Sequence, residues 1–160
     1  MSSDQTTIDV HDASAVDGKV IVITGAASGI GRATALLMDH YGCDLTLGDI
    51  NNEGLIETAN LLQREHNTVV FNAVDILSCE KLVDDASSKG LDIVCNITGH
   101  LDWGPSEDFS PERFAEVLQI NLISTFTICR AAFPHLAKSQ GVIVNTASTA
   151  AQVGVPYSAA

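Results

Sequence analysis

Short apolar runs alternate along this chain with longer segments in which apolar residues recur every three or four positions. The short runs are rich in Val, Ile and Leu and contain few charges, which is typical of strands buried on both faces of a sheet. We predict five such strands, at 19–24, 44–49, 68–75, 91–99 and 141–148.

The segments between these strands have the length and the end signals of helices. The predicted helices run from about Gly31 to His40, from Asn51 or Asn52 to about His66, over 78–90, and from Pro111 to near Lys138. A proline at a first helical position and a glycine just after a last one, such as Gly42, fit these bounds. Strands that alternate with helices predict one α/β domain with a parallel sheet and right-handed crossovers.

Composition and charge narrow the classes of function. The chain has 160 residues, of which 46% are hydrophobic and 18% charged, as in a single globular domain. Its net charge of −12 comes without any basic run, so we expect no nucleic-acid partner and no anionic-membrane partner. The most apolar segment, 117–137, is interrupted by Gln119, Asn121, Ser124, Thr125, Thr127 and Arg130, and we interpret it as a buried helix rather than a membrane span.

The cysteines and the first residues bear on compartment and domain limits. The four cysteines are far apart and show no metal-ligand spacing, so we predict no metal site and buried reduced thiols in a cytoplasmic protein. Residues 1–17 are polar and lack the apolar core of a signal peptide. We expect them to form a flexible tail, followed by a nucleotide-binding domain over 18–160.

A glycine-rich turn, TGAASGIG, joins the first strand to the first helix. Gly25 permits a tight turn, Gly29 lets the backbone approach a pyrophosphate, and Gly31 lets the helix pack close to the strand. Ser28 and Ile30 belong to the same turn, and the helix N-terminus that follows attracts anions. The glycines could serve the turn alone, but their place after a buried strand and before a helix favours a dinucleotide site.

Two carboxylates follow the next strands. Asp49 ends the second strand, where it could accept hydrogen bonds from an adenosine ribose and would repel a 2′-phosphate, so NAD is favoured over NADP. The alternative is a solvated acid at a strand end. Asp75 ends the predicted third strand and could contact the adenine amino group or cap the following helix, and the sequence leaves both open.

These features in this order resemble the short-chain dehydrogenase/reductase family over 18–160. The resemblance rests on TGAASGIG, Asp49, Asp75, CNITG, INLISTF and VNTAS. It implies a Rossmann-type doubly wound sheet of order 3-2-1-4-5, with hydride transfer between NAD(H) and a secondary alcohol or ketone. The cofactor-binding residues that it implies are Gly25, Ser28, Gly29, Ile30, Gly31, Asp49, Asp75 and Asn96.

The resemblance also implies catalytic roles for two residues. Asn121 matches the asparagine that holds a water of the proton relay, and Ser148 matches the serine that bonds the substrate oxygen. The alternatives are a buried amide bonded to a helix carbonyl and a turn serine at a strand end. Asn96 stands in NITG where the family has Asn-Asn-Ala-Gly, so the second amide is replaced.

The chain departs most from the family at its end. The family's reactive Tyr-x-x-x-Lys would begin just past Ala160, and Tyr157 is followed by no lysine, which favours a loop residue near the substrate mouth. We therefore expect a domain that is truncated before this motif, lacks the family's last strands and is prone to self-association, from a homo-oligomeric parent. The alternative function is an inactive remnant that binds a nucleotide or a partner.

Overall fold

The computed structural model describes residues 15–158 and arranges them around one parallel sheet. The strands are β1 (Val20–Thr24), β2 (Asp44–Asp49), β3 (Asn67–Val70), β4 (Ile93–Asn96) and β5 (Val142–Asn145). The helices are α1 (Gly29–His40), α2 (Asn52–Leu61), α3 (Ile76–Ser87), α4 (Pro111–Leu118) and α5 (Ser124–Ser139). Every strand pair is parallel and the order is β3-β2-β1-β4-β5, which confirms the predicted topology.

Helices cover both faces of the sheet, and β1 shows why its sequence is apolar throughout. Successive side chains of a strand point to opposite faces. Ile21 and Ile23 pack with residues of α1 and α2, whereas Val22 packs with residues of α3 and α5. All three side chains are fully buried. Because β1 is covered on both faces, its sequence shows no alternation of apolar and polar residues.

The third strand is shorter than predicted, because polar side chains take over the backbone beyond it. It spans Asn67–Val70 instead of 68–75. The Asn72 side chain accepts the N–H of Val74 at 3.1 Å, and the Asp75 N–H donates to the Asn72 carbonyl at 3.0 Å. These bonds make a turn that competes with a strand ladder. Asp75 therefore does not end β3 but precedes α3.

Other boundaries shift by smaller amounts. The predicted fourth and fifth strands, 91–99 and 141–148, shorten to Ile93–Asn96 and Val142–Asn145. The second helix ends at Leu61 rather than near His66, since Leu62 is already extended. The first helix begins at Gly29 instead of Gly31, and the third occupies Ile76–Ser87 rather than 78–90.

The predicted long helix is continuous from Pro111 to Ser139 but contains a π-helical turn at Gln119–Ile123. Its length and hydropathy would allow it to cross a membrane, yet one face packs against α3 and β4. The buried positions are Val117, Ser124, Thr127, Ile128, Ala132 and Leu136. Because only 28% of its most apolar window is buried, the helix lies on the surface of the described domain and is not the buried helix that we predicted.

A buried carboxylate fixes the C-terminal end of α1. Asp39 accepts the N–H of Gln63 at 2.6 Å and lies 3.2 Å from the Arg64 guanidinium and 2.8 Å from His66 Nε2. The N–H of Leu45 donates to His66 Nδ1 at 3.1 Å, so the ring proton is on Nε2. Burial alone would raise the pKa of Asp39, but hydrogen bonds from Gln63, His66 and Arg64 outweigh it and lower that pKa.

The start of the domain lies before residue 18. Residues 1–14 of the predicted tail lie outside the described residues. Val16, however, is half-buried against the core between α1 and the sheet. The N–H of Gly18 also donates to the Gly42 carbonyl at 3.1 Å. The last residues of the predicted tail thus belong to the packed domain.

Three of the four cysteines are buried, as predicted, and Cys129 is half-buried. Burial raises the pKa of Cys79 to about 11 and also raises the pKa of Cys43 and of Cys95. These thiols therefore stay protonated at neutral pH and act as small apolar side chains. Within 15–158, no group of three or more His, Cys, Asp or Glu side chains could hold a metal ion.

Candidate functional site

A cleft of about 330 Å³ opens at the carboxyl ends of the strands. It is lined by the residues that follow β1, β2 and β4, with Phe71, Asn72 and Ala73 at one end and Ile120 at the other. Because β1 lies between β2 and β4, Asp49 and His100 stand on opposite sides of the turn at Gly25. Open parallel sheets bind ligands at such a crevice. We take this cleft as the candidate site.

Two other clefts, of about 380 and 580 Å³, are larger but less suited to a site. They are lined by the first residues of β2 and β3 and by polar residues of α3. The amino ends of parallel strands do not present helix N-termini to a ligand. His66 lines the first of them, but both of its ring nitrogens are already bonded.

The glycines of the turn have the conformations that their proposed roles require. Gly25 and Gly29 adopt φ values of +71° and +51°, which L side chains rarely adopt. A Cβ on Gly31 would lie 2.0 Å from the Gly25 carbonyl oxygen, so only glycine lets α1 approach β1 here. A Cβ on Gly25 would lie 3.0 Å from the Thr98 amide nitrogen. The turn is thus built for close backbone approach.

The N-terminus of α1 lies next to the cleft, because its N-cap residue Ser28 lines the cleft. The first N–H groups of a helix have no partner within it and carry a partial positive charge. Ser28 is the N-cap residue, yet its side chain makes no capping bond and is exposed on the cleft wall. Ile30 is 67% exposed beside it. That this turn and helix end bind a pyrophosphate stays a prediction.

Asp49 joins the end of β2 to the glycine turn. Its Oδ2 accepts the N–H of Ala27 at 3.1 Å and its Oδ1 accepts the N–H of Asn51 at 2.9 Å. Each carboxylate oxygen keeps a further lone pair that could accept a hydrogen bond, and Asp49 lines the cleft. The turn and the carboxylate are therefore one hydrogen-bonded unit, which the sequence pattern alone did not reveal.

Arg32 is a cation near the turn that sequence reasoning missed. Its guanidinium donates to the Ala27 carbonyl at 2.5 Å and to Thr58 Oγ1 at 2.9 Å, and it pairs with Glu57 at 2.9 Å. These contacts direct the charge toward α2 rather than into the cleft. The sequence signal for this cation was its position directly after Gly31. A residue next to the glycine at which α1 approaches β1 lies close to the turn.

Asp75 is the N-cap residue of α3, where its Oδ1 accepts the N–H of Leu77 at 2.9 Å. It is exposed and is not among the residues that line the cleft, whereas Ala73 is. Of the two roles that the sequence left open, the structure shows the helix cap. The contact with adenine stays a prediction.

Two buried side-chain polar atoms, one at the end of β4 and one just beyond it, have no hydrogen-bond partner among the described residues. They are Oδ1 of Asn96 and Oγ1 of Thr98. The other end of the Asn96 amide donates to Asn145 Oδ1 at 2.8 Å. Thr24, which sequence reasoning missed, ties this segment to β1, because its Oγ1 accepts the N–H groups of Ile97 at 2.9 Å and Thr98 at 3.0 Å.

Asn121 lies in the π-helical turn, a feature frequent at functional sites. Its Oδ1 accepts the N–H of His100 at 2.7 Å and its Nδ2 donates to the His100 carbonyl at 2.8 Å. Asn121 is exposed and its partner is a loop main chain. The alternative of a buried amide bonded to a helix carbonyl is therefore wrong. Asn121 therefore clamps the main chain that follows β4.

Ser148 and Tyr157 lie beyond β5. The Ser148 hydroxyl accepts the N–H of Ala150 at 3.2 Å, as a turn serine does, and Ser148 does not line the cleft. Tyr157 is 64% exposed, and its carbonyl accepts the N–H of Gly104 at 3.0 Å. It is a loop residue beside the loop of His100. Neither Asn121 nor Ser148 lines the cleft, although Asn121 bonds to His100, which does. The catalytic roles of both residues stay predictions.

The donor set of the cleft fits a dinucleotide. Gly25, the α1 N-cap residue Ser28, Asp49 and Thr98 line one crevice. The first three would hold the pyrophosphate and the adenosine ribose, and the crevice continues past Thr98 to His100.

Comparison with known proteins gives one consistent result. The family model described as short chain dehydrogenase matches residues 19–160. An L-fucose dehydrogenase of Oryctolagus cuniculus is 36% identical over 152 residues, which are 89% of this chain and 52% of that protein. A D-threitol dehydrogenase of Mycolicibacterium smegmatis is 34% identical over 146 residues, 88% of this chain and 56% of that protein.

A solved structure agrees with these relatives. The crystal structure of a short chain dehydrogenase from Mycobacterium smegmatis superposes with a TM-score of 0.83 at 28% identity, covering 89% of this chain and 63% of that one. The chain spans about half the length of the curated relatives that it matches.

Proposed function

Because this chain belongs to the short-chain dehydrogenase family, we propose that it serves an NAD-dependent oxidoreductase that interconverts a secondary alcohol and a ketone. The observation that carries the proposal is the cleft in which the glycine turn, the α1 amides and Asp49 form one unit. A bound nicotinamide cofactor would supply or accept the hydride. The protein's own groups bind and orient the two reactants.

The preference for NAD over NADP rests on Asp49. Its carboxylate lines the cleft. If it bonds the adenosine ribose as proposed, a 2′-phosphate would lie close to it, and like charges repel. The one guanidinium beside the turn, Arg32, is engaged by Glu57 and by carbonyl oxygens. No free cation of the described residues near Asp49 offsets that repulsion.

Asn121 and Ser148 are the proposed contributors to substrate handling. Asn121 positions the loop of His100, and Ser148 would polarise the substrate oxygen. The 160 residues contain no Tyr-x-x-x-Lys sequence. A phenol has a pKa of about 10 and needs a neighbouring cation to act as a base near neutrality. We therefore propose that these residues bind cofactor and substrate but do not by themselves move the proton efficiently.

The substrate is proposed to be a polyhydroxylated alcohol or the corresponding ketone. Two of the relatives bear names that refer to fucose and to threitol, both of which carry several hydroxyl groups. We further propose a cytoplasmic, homo-oligomeric protein. Exposed Phe126 and Phe133 on α5 and exposed Val142 and Val144 on β5 favour self-association, which sedimentation at several concentrations would test.

Fluorescence titration of the 160-residue chain with NADH tests the proposal. We expect saturable binding, together with negligible reduction of NAD by secondary alcohols. Failure to bind NADH or NADPH would reject the proposed function. Binding without turnover is compatible with both an oxidoreductase and a non-catalytic nucleotide-binding module. An activity assay of a protein that also carries Tyr-x-x-x-Lys would distinguish these two functions. Rapid turnover that is lost in Tyr157→Phe would show instead that Tyr157 is the acid/base.

A further inference from the structure

The cleft has one titratable group at each end. Asp49 lies on the side of β2, and His100 lies on the side of β4. Among the described residues that line the cleft, these are the two titratable ones. The proposed function uses Asp49 for the cofactor ribose and leaves the His100 side chain without a role.

The main chain of His100 is held firmly, whereas its imidazole is free. Both main-chain polar groups bond to the Asn121 amide, at 2.7 and 2.8 Å. Two residues further on, Asp102 is held by the Arg113 guanidinium at 2.8 and 2.5 Å, and Arg113 lies 4.4 Å from the Phe109 ring centre. No hydrogen bond or ion pair among the described residues engages the His100 ring. An exposed imidazole on a fixed backbone is a preorganised contact for a ligand.

The other groups at this end of the cleft offer little to a polar substrate. Ile97 and Ile120 are apolar, the Thr98 hydroxyl is buried, and the Asn121 amide is committed to His100. Binding sites are mostly apolar and take their specificity from a few polar groups. The imidazole is therefore the accessible side-chain partner for a polar substituent here.

From this geometry we infer that His100 recognises a second hydroxyl of the substrate, beside the reacting one, and so selects diols over simple alcohols. A neutral imidazole has one donor and one acceptor, which match a hydroxyl that both donates and accepts. An anionic substituent fits less well, because the chain carries a net charge of −12. The inference rests on the proposed function and names the substrate class of that same site.

The test compares 2,3-butanediol with 2-butanol, which differ by the second hydroxyl, on the NADH-loaded 160-residue chain. NMR titration would follow the Cε1–H of His100 and give both dissociation constants. We expect the diol to bind about five- to tenfold more tightly, as a net hydrogen bond provides, and to move the His100 resonance. In His100→Leu the two ligands should bind equally, and His100→Gln should recover part of the preference.

Controls separate this inference from the proposed function. His40→Leu changes an exposed histidine at the far end of α1 and should keep the preference. NADH affinity should be the same in all variants, since His100 lies outside the ribose and phosphate contacts. Equal binding of diol and alcohol by the wild type, a preference that persists in His100→Leu, or tighter binding of 2-hydroxybutanoate than of the diol would overturn the inference. If the wild type does not bind NADH, both the proposed function and the inference are rejected.

Discussion

The two sides of the cleft are built differently. On the side of β1 and β2, hydrogen bonds link Ala27 of the glycine turn to Asp49 and to Arg32. Ala27 is itself part of the buried core. On the side of β4 and β5, the strands are short, β5 is largely exposed, and the braces are surface pairs such as Asp102 with Arg113. We call these sides the cofactor half and the substrate half, after the ligands proposed for them. The difference indicates that the cofactor half is preorganised by the core, whereas the substrate half is held by hydrogen bonds and ion pairs near the surface.

Gly31→Ala should produce the largest effect and tests the rigidity of the cofactor half. The new Cβ would lie 2.0 Å from a backbone oxygen, which cannot move without displacing the turn. We expect the free energy of unfolding to fall by about 3 kcal/mol, as for an overpacked core site, and NADH binding to weaken strongly. Urea denaturation and NADH titration provide the measurements.

Gly154→Ala is the matched control from the other half. A Cβ at Gly154 meets nothing within 4 Å, and this glycine needs no positive φ. Its effect should stay within about 0.5 kcal/mol, as for an ordinary surface substitution. Equal effects of the two alanines would contradict the proposed difference between the halves.

The fold of the cofactor half could largely be predicted from the sequence, because its signals are local. A buried strand, three glycines and a carboxylate at the next strand end stand within about one βαβ unit, whose geometry is general. The strand order followed from the family resemblance. Gly25, Ser28 and Asp49 line the cleft. Their contacts with a cofactor stay predictions.

What could not be predicted depends on partners distant in sequence or on competition between local bonds. The pairing of Asp39 with His66 joins residues 27 positions apart, and no pattern marks it. β3 is shorter than predicted because the side chains of Asn72 and Asp75 accept backbone N–H groups of nearby residues. Exposure of Asn121 depends on where the loop of His100 lies, which only the folded chain defines.

Asp39→Asn should give the next largest effect, and it depends on pH. The pKa of Asp39 is lower in the folded protein than the ordinary value of about 3.9. Its contribution is therefore present above that ordinary value and is lost as the pH falls through the folded pKa. We expect Asp39→Asn to lower the free energy of unfolding at pH 7 by about 2 kcal/mol, because a buried bonded charge pair is broken.

Denaturation from pH 7 to pH 2.5 would measure this effect. The wild type should lose stability below about pH 4 more steeply than Asp39→Asn, as unfolded carboxyls bind protons there. Asp102→Asn is the control in the substrate half. The Arg113 guanidinium lowers the pKa of Asp102 as well, but that pair is on the surface and its loss should change stability little. Parallel profiles for wild type and Asp39→Asn would contradict the assignment.

Asp49→Asn should change cofactor preference rather than the fold. The amide keeps one oxygen as an acceptor but removes the charge that opposes a 2′-phosphate. We expect the ratio of NADH to NADPH affinity to fall by about tenfold, or about 1.4 kcal/mol. Fluorescence titration with both cofactors measures the ratio. Asp44→Asn, at the opposite end of β2, is the control and should keep it. An unchanged ratio in Asp49→Asn would reject the ribose assignment.

The smallest expected effect compares one substitution in both halves. Thr58 Oγ1 is fully buried in the cofactor half, where it donates to the Ala26 carbonyl at 2.9 Å and accepts Arg32 Nε at 2.9 Å. Thr98 Oγ1 is buried on the other side of the cleft and has no partner among the described residues. Replacing threonine by valine keeps the shape and removes the hydroxyl. Thr58→Val should therefore lower the free energy of unfolding by about 1 kcal/mol, whereas Thr98→Val should raise it by up to about 1 kcal/mol in the absence of ligand.

Thermal unfolding of both variants gives the signs of these two changes in the free energy of unfolding. If Thr98→Val also weakens NADH binding while stabilising the free protein, its hydroxyl is kept for a ligand contact at the expense of stability. If both variants are destabilised alike, the Thr98 hydroxyl is bonded within the free protein, and the contrast between the two halves does not extend to their buried hydroxyls.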